Sequence, residues 1–240
     1  MMSVKKLTLG LQPETTTFRV SSMAGIVVDA ILDARGTDIP DTYYTQIAET
    51  GKTGTISLMN EKKGNVLLVD RQNVAFTKSA YPNGHVNLDE TISEFKNIWS
   101  IVQKVVKLKG IRRIGLVAEH RFEPEKNNNI ELLRTLTRLP ERSNPAHFSL
   151  HYESRIPPKA GDSIDTAKGA FTNLIYDFYD SALDTSVPEA GKLNANLDYQ
   201  KYYAPSLDAK IVDEIEAHYY AFKKELATFE SELVKLGLRK

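Results

Sequence analysis

The clearest pattern of hydrophobic and polar positions runs from residue 87 to residue 122. Apolar residues recur there at alternating steps of four and three, which gives a helix one continuous apolar face: Leu88, Ile92, Phe95, Trp99, Val102 and Val106. Asn87 can cap the helix, Glu90 follows as in a capping box, and Gly110 supplies a stop. Strict alternation then begins. The sequence predicts a helix up to Lys109 and a strand over 111–122.

The residues before this unit predict mostly strands. Residues 1–17 have little pattern, and the stretch from Gln12 through the three threonines favours a loop. Residues 18–34 are rich in Val and Ile and predict a strand. Residues 38–50 carry Pro40 in an opening turn and predict a short helix. Polar turns then separate three predicted strands, at 54–60, 65–70 and 73–81.

One more helix is predicted before the second half, in which this order of features partly recurs. A helix is predicted over 130–139, and the polar stretch 142–146, which contains Pro145, predicts a boundary between halves that pack together. The halves are 1–141 and 142–240. Further strands are predicted at 147–156, 169–183 and 192–203, before a long closing helix. The predicted fold class is α+β, with antiparallel sheets each followed by an amphipathic helix in two similar halves.

The closing helix carries a regular apolar stripe that allows two interpretations. Its positions are Val212, Ile215, Tyr219, Phe222, Leu226, Phe229, Leu233 and Leu236. Phe and Tyr in the stripe favour a helix that lies across a sheet. The alternative is a seam with a partner helix in a homodimer, for which the candidate self-association residues are Tyr219, Phe222, Leu226, Phe229 and Leu233.

Composition narrows the functional classes. The 240 residues include 31 basic and 31 acidic side chains, so the formal net charge is zero, which argues against a protein that mainly coats nucleic acid. The absence of cysteine excludes disulfides, thiolate catalysis and sulfur-ligated zinc. Apolar runs are too short for a signal peptide or a bilayer span. We therefore expect a cytoplasmic protein without a membrane partner.

Motifs for cofactors and metals are incomplete. Gly51-Lys52-Thr53 resembles part of a phosphate-binding loop, but Gln46 stands where that motif needs glycine. His147 and His151 lie on one predicted strand, about 13 Å apart by strand rise, too far to share an ion. The sequence therefore predicts neither a cofactor nor a metal site.

A hydrolase-type enzyme is one alternative. Asp177, Asp180 and Asp184 form a short acidic series, and Asp177 with His120 is the pair around which such an activity could be built. Strand alternation separates Asp177 from Asp180, and no serine stands in a nucleophile-elbow pattern. The sequence predicts no catalytic residue.

Two charged groups are candidates for binding. The densest basic cluster consists of Lys104, Lys107, Lys109, Arg112 and Arg113. Cations near a helix C-terminus complement its dipole, and an anionic partner such as nucleic acid is the alternative. Arg113, Glu119 and Arg121 share one face of the predicted strand, where they could line a ligand or partner groove. Cross-strand ion pairs on a solvated face are the other interpretation.

The order of these features resembles a sporadically distributed bacterial family of roughly this length with no established function. The resemblance is centred on Arg113-Ile114-Gly115-Leu116 and extends to His120-Arg121-Phe122, to Ile175-Tyr176-Asp177-Phe178, and to the last helix. It transfers no catalytic residue. It implies an interaction protein in a bacterial or phage defence or toxin-control system.

The residues and the resemblance together predict a non-enzymatic protein that binds a protein partner or itself, with a homodimer expected. A nucleic-acid-associated protein that uses the basic cluster is the first alternative, and the hydrolase is the second.

Overall fold

The computed structural model describes residues 2–40, 46–50, 55–60, 62–80, 84–122, 149–180 and 193–238. The strands are β1 (Lys6–Pro13), β2 (Gln46–Thr50), β3 (Thr55–Asn60), β4 (Asn65–Val69), β5 (Val74–Ser79), β6 (Ile111–Phe122), β7 (Ser149–Ile156), β8 (Phe171–Asp180) and β9 (Leu193–Leu207). The helices are α1 (Arg19–Ser22), α2 (Ala24–Asp33), α3 (Leu88–Val106) and α4 (Ile211–Lys235). The predicted α+β class is confirmed.

All the described strands belong to one nine-stranded sheet, in the order β2-β3-β4-β5-β1-β6-β9-β8-β7. Neighbouring strands are antiparallel throughout. The expected separate sheet in each half is wrong, because β6 pairs with β1 on one side and with β9 on the other. The predicted boundary at 142–146 and the predicted helix at 130–139 lie outside the described residues.

One face of the sheet carries the core. Along the central strands, every second side chain points toward α3 and α4, and these side chains are apolar. Among them are Leu7, Leu9, Leu11, Ile114, Leu116, Ala118 and Leu197. Both helices contact the sheet through their own apolar stripes. The α3 stripe is buried as predicted, and the Asn87 side chain accepts a hydrogen bond of 3.3 Å from the Glu90 backbone N–H. The helix ends at Val106, because Lys107 adopts a left-handed conformation with φ 55°.

The stripe of α4 lies in the core. The candidate self-association residues Tyr219, Phe222, Leu226, Phe229 and Leu233 are all buried, and the Phe229 ring lies 5.4 Å from the ring of Tyr176 on β8. The helix therefore lies across the sheet. Its apolar face is not available to a partner helix in this fold, so any self-association must use another surface.

Three predictions in the first 50 residues are wrong. Residues 18–34 form α1 and α2 rather than a strand, because Val20, Ala24, Val27 and Ile31 follow helical spacing and are buried. Residues 6–13, whose weak pattern predicts no strand, form a central strand, which includes Gln12 and Pro13 of the expected loop. The expected helix over 38–50 is also wrong at its end, where 46–50 is β2, and 41–45 lies outside the described residues.

Candidate functional site

The second face of the sheet is polar where β6, β9 and β8 lie side by side. Alternation turns these residues away from the core: Arg113, Gly115, Val117, Glu119 and Arg121 on β6, Asn194, Asn196, Asp198, Gln200 and Tyr202 on β9, and Phe171, Asn173, Ile175, Asp177 and Tyr179 on β8. We call this surface the polar face. Among the described residues of these three strands, the lysine Lys201 is on the opposite face of β9, so the polar face has none. The face therefore combines amide, carboxylate, phenol and guanidinium groups.

A pair of glycines interrupts the side chains beside this face. Gly10 on β1 is directly opposite Gly115 on β6. A Cβ built at Gly10 meets no atom of the described residues within 4 Å, and one at Gly115 meets only Cγ of Gln200 at 3.6 Å. Neither glycine has the positive φ that requires this residue type. The pair therefore leaves a gap bordered by Gln200, which we call the glycine trough.

A chain of hydrogen bonds borders the trough on β9. The Tyr202 hydroxyl donates to Oε1 of Gln200 at 2.9 Å, and Nε2 of Gln200 donates to Oδ2 of Asp198 at 2.6 Å. Nη1 of Arg113 lies 3.4 Å from both Oε1 of Gln200 and the Tyr202 hydroxyl. Its guanidinium carbon lies 5.8 Å from the Tyr202 ring centroid. These contacts fix the orientation of the side chains next to the trough.

Asp198 has an unusual environment within this network. Burial raises the pKa of its carboxyl to about 6, while the hydrogen bond from Gln200 and the charge of Arg113 lower it and the charge of Asp177 raises it further. Its second oxygen, Oδ1, is buried and has no hydrogen-bond partner among the residues that the structure describes. A carboxyl group in this state exchanges its proton close to neutral pH.

The other end of the polar face forms a second network. Oε1 of Glu119 accepts a hydrogen bond of 3.3 Å from Arg121, and Oε2 accepts one of 3.4 Å from the Tyr179 hydroxyl. Burial and the nearby Glu119 charge raise the pKa of Tyr179. Arg121 also donates to Oδ1 of Asn194 at 3.3 Å. This end therefore holds one buried carboxylate between a guanidinium and a phenol.

The structure divides the predicted groove residues between these two networks. Arg113 belongs to the network beside the trough, whereas Glu119 and Arg121 belong to the other one. Sequence reasoning missed Asp198 and Gln200. The alternation of Asn194, Asn196, Asp198 and Gln200 along β9 was the signal that could have found them, because a polar residue stands at every second position.

The basic cluster is also divided. Lys104, Lys107 and Lys109 are exposed at and beyond the end of α3. Arg112 instead donates to the backbone oxygens of Tyr203 and Gly169, the latter at 2.9 Å. The five residues therefore do not form one free cationic patch, since Arg112 and Arg113 are held by the sheet.

Asp177 and His120 lie on opposite faces of the sheet. His120 packs on the core side, where its ring centroid is 6.1 Å from that of Phe229, and burial lowers its pKa to about 4. Asp177 lies on the polar face, where Oδ1 is 2.6 Å from Nδ1 of His151. The sheet separates the two residues that the hydrolase alternative required, so they do not share a cleft.

No protein-family model matches the chain, and no curated protein matches it either. None of the helices in the described ranges combines the length and the apolar character needed to cross a membrane. In the same part of the chain, no three His, Asp or Glu side chains come close enough together to hold a metal ion. The geometry of the polar face is therefore the basis for assigning a function.

Proposed function

We propose that the protein is a non-enzymatic binding protein, and that the polar face with its glycine trough binds an extended segment of a protein partner. The pairing of Gly10 with Gly115 carries this proposal. Glycine in a strand interior costs conformational entropy and is typical of places where another backbone approaches closely. Because neither position requires glycine for its φ value, the space itself is the feature that needs an explanation.

The side chains around the trough suit a polypeptide. Arg113, Gln200 and Tyr202 are already held by hydrogen bonds to one another, so binding would order few flexible groups. Tyrosine and arginine are enriched at protein interfaces because each combines an apolar surface with a polar end. The amide and hydroxyl groups offer both donors and acceptors, which match the alternating groups of an extended backbone.

The charges of the polar face favour a polypeptide over nucleic acid. Glu119, Asp177 and Asp198 stand among the two arginines Arg113 and Arg121. A phosphate backbone would meet these carboxylates as well as the guanidinium groups, and affinity for nucleic acid depends on neutralising phosphates. A segment that carries both signs of charge fits this mixture better.

A matched pair of glycine substitutions tests the proposal. A phage-displayed library of random peptides is selected on the wild-type protein, and the selected peptides are labelled and titrated by fluorescence anisotropy. Gly10→Leu fills the trough and is expected to weaken binding by about tenfold or more. Gly25→Leu is the control, because Gly25 lies on α2 and a Cβ there also meets no described atom within 4 Å.

The expected result is loss of affinity for Gly10→Leu and unchanged affinity for Gly25→Leu, with both variants folded by thermal unfolding. Equal affinity for all three proteins would contradict the assignment of the trough. Labelled single-stranded DNA serves as a second probe. DNA binding that weakens with salt and is lost in the double variant Lys104→Glu with Lys107→Glu would favour the nucleic-acid alternative. These two substitutions do not touch the contacts of Arg112 with the sheet.

A further inference from the structure

Strand β7 forms one edge of the described sheet. It pairs with β8 on one side, and the order of the strands places no described strand on the other. Six of its eight residues are exposed. An edge of this kind presents a row of backbone N–H and C=O groups that can pair with another strand. Natural edges are usually protected by charges, and the charges of β7 have a specific arrangement.

The two faces of β7 carry different side chains. Tyr152 and Ile156 lie on the side of the helices and are 58% and 46% exposed, so a partner strand can bury both. Glu153 and Arg155 lie on the side of the polar face, where Nη2 of Arg155 is 2.7 Å from Oε1 of Glu153. Opposite charges two residues apart on a strand can complement an antiparallel copy of the same strand.

The register of such a pairing follows from the sequence of β7. In an antiparallel pair related by a two-fold axis at Ser154, Glu153 stands opposite Arg155 of the second copy, and Tyr152 stands opposite Ile156. The symmetry then forms the Glu153–Arg155 pair twice and the Tyr152–Ile156 pair twice. An axis at Glu153 places two carboxylates opposite each other and His151 opposite Arg155. An axis at Tyr152 leaves Arg155 opposite Ser149.

We propose that the protein forms a homodimer in which two β7 strands pair antiparallel about an axis at Ser154. The axis is perpendicular to the sheet, so the helices of both copies lie on one side and the two polar faces lie on the other. One sheet then continues through both copies. This interface is independent of the trough, which lies several strands away on β1 and β6.

Disulfide trapping tests the register, because the chain has no native cysteine. Ser154→Cys places its two copies at the axis, where Cα atoms of an antiparallel pair are about 4.5–5.5 Å apart, within the range of a disulfide. Tyr152→Cys is the control, since its two copies are offset by about 13 Å. A covalent dimer is expected for Ser154→Cys alone. Cross-linking of Tyr152→Cys instead, or of neither variant, overturns the register.

Charge exchange tests the contacts by light scattering. Wild type is expected at twice the 26.9 kDa of the chain. Glu153→Arg and Arg155→Glu each place like charges opposite each other and are expected to be monomeric. An equimolar mixture of the two variants forms complementary pairs across the axis and is expected to be dimeric.

The double variant Glu153→Arg with Arg155→Glu restores both pairs in a single protein and is expected to be dimeric. Its folding can be compared directly with that of wild type, which separates loss of the interface from loss of the fold. A monomeric wild type overturns the proposal. So does a dimeric mass for both single variants, because the bond between Glu153 and Arg155 would then act only within one chain.

Discussion

The Tyr219 hydroxyl donates a hydrogen bond of 2.7 Å to Oδ1 of Asp89, and this bond joins α4 to the first turn of α3. Lys223, one turn further along α4, donates to the same oxygen at 3.1 Å. The hydrogen bond from Tyr219 is the main cause of the lowered pKa of Asp89, followed by the one from Lys223. Since the ring of Tyr219 is buried, its hydroxyl links the core to the surface contact between the two long helices.

Tyr219→Phe removes this hydroxyl and keeps the ring. We expect the free energy of unfolding to fall by about 1 kcal/mol and the pKa of Asp89 to rise, which NMR titration can measure. Because the folded-state pKa of Asp89 is lowered, its contribution is present at neutral pH and is lost as pH falls through that pKa. The difference between variant and wild type should therefore shrink in acid.

Tyr220→Phe is the matched control for this prediction. Tyr220 is exposed, and its hydroxyl lies 3.5 Å from Oε1 of Glu216 on the same helix. We expect little change in stability and no change in the pKa of Asp89. An equal loss of stability in both variants would show that the link between the two helices is not the cause.

The elements that the sequence predicted well are those whose pattern is local. The α3 stripe and the alternation of β6 each lie within one short stretch, and the structure has both. β1 was missed because its place depends on distant partners. Thr8 forms a side-chain hydrogen bond of 2.9 Å with Thr77, which is 69 residues away in the chain. The strand propensity of Val and Ile led to the wrong prediction for α2, where burial of Val27 and Ile31 on one helix face outweighs that propensity.

The candidate site was less predictable for the same reason. Arg113, Glu119 and Arg121 were placed on one face because the alternation of a single strand is enough to do so. The glycine trough requires the register between β1 and β6, which no local pattern supplies. The environment of Asp198 likewise arises from neighbours on three strands, Arg113, Asp177 and Gln200.

Two buried histidines predict loss of stability in acid. Burial lowers the pKa of His218 to about 3 and that of His120 to about 4. Below the unfolded value of about 6.5, the unfolded chain binds protons that the folded chain does not, so stability falls as pH drops from there toward 4. Each histidine contributes at most about 1.4 kcal/mol per pH unit. Urea unfolding at a series of pH values measures the slope.

His218→Gln tests the assignment of this slope. Nε2 of His218 lies 3.2 Å from the backbone oxygen of Tyr199, and a glutamine amide can donate to the same oxygen without titrating. The slope of the free energy of unfolding against pH reports how many more protons the unfolded chain binds than the folded one. In His218→Gln this number should be smaller by about one below pH 6. An unchanged slope would mean that His218 is protonated in the folded protein.

The raised pKa of Asp198 has the opposite effect on the pH dependence of stability. Its folded pKa is raised to about 6, so its charge destabilises the folded state above that pH, and stability recovers as the pH falls through that value. Asp198→Asn is expected to raise the free energy of unfolding by about 1–3 kcal/mol at neutral pH. The gain should vanish near pH 4, about the pKa of an unfolded aspartate.

Asp177→Asn is the control for that gain. Asp177 lies on the same face and its charge raises the pKa of Asp198, but its own carboxylate is paired with His151 at 2.6 Å. Because Asp177→Asn loses that pairing, it should stabilise the protein less than Asp198→Asn does. Urea unfolding of the two variants at neutral and acidic pH separates the cases. A loss of stability for Asp198→Asn at neutral pH would mean that the carboxylate is needed in its charged form.

Arg112 is expected to contribute to the fold rather than to a cationic surface. Its guanidinium donates to the backbone oxygens of Tyr203 and Gly169, and its central carbon lies 5.6 Å from the Tyr202 ring centroid. Arg112→Ala leaves these oxygens without a charged donor, so we expect the free energy of unfolding to fall by about 2 kcal/mol. Lys104→Ala removes the same charge from an exposed position near the end of α3 and should change stability little. Chemical denaturation of both variants decides the matter. If both variants lose equally little stability, Arg112 does not stabilise the fold and belongs with the exposed basic cluster. That result would strengthen the case for an anionic partner.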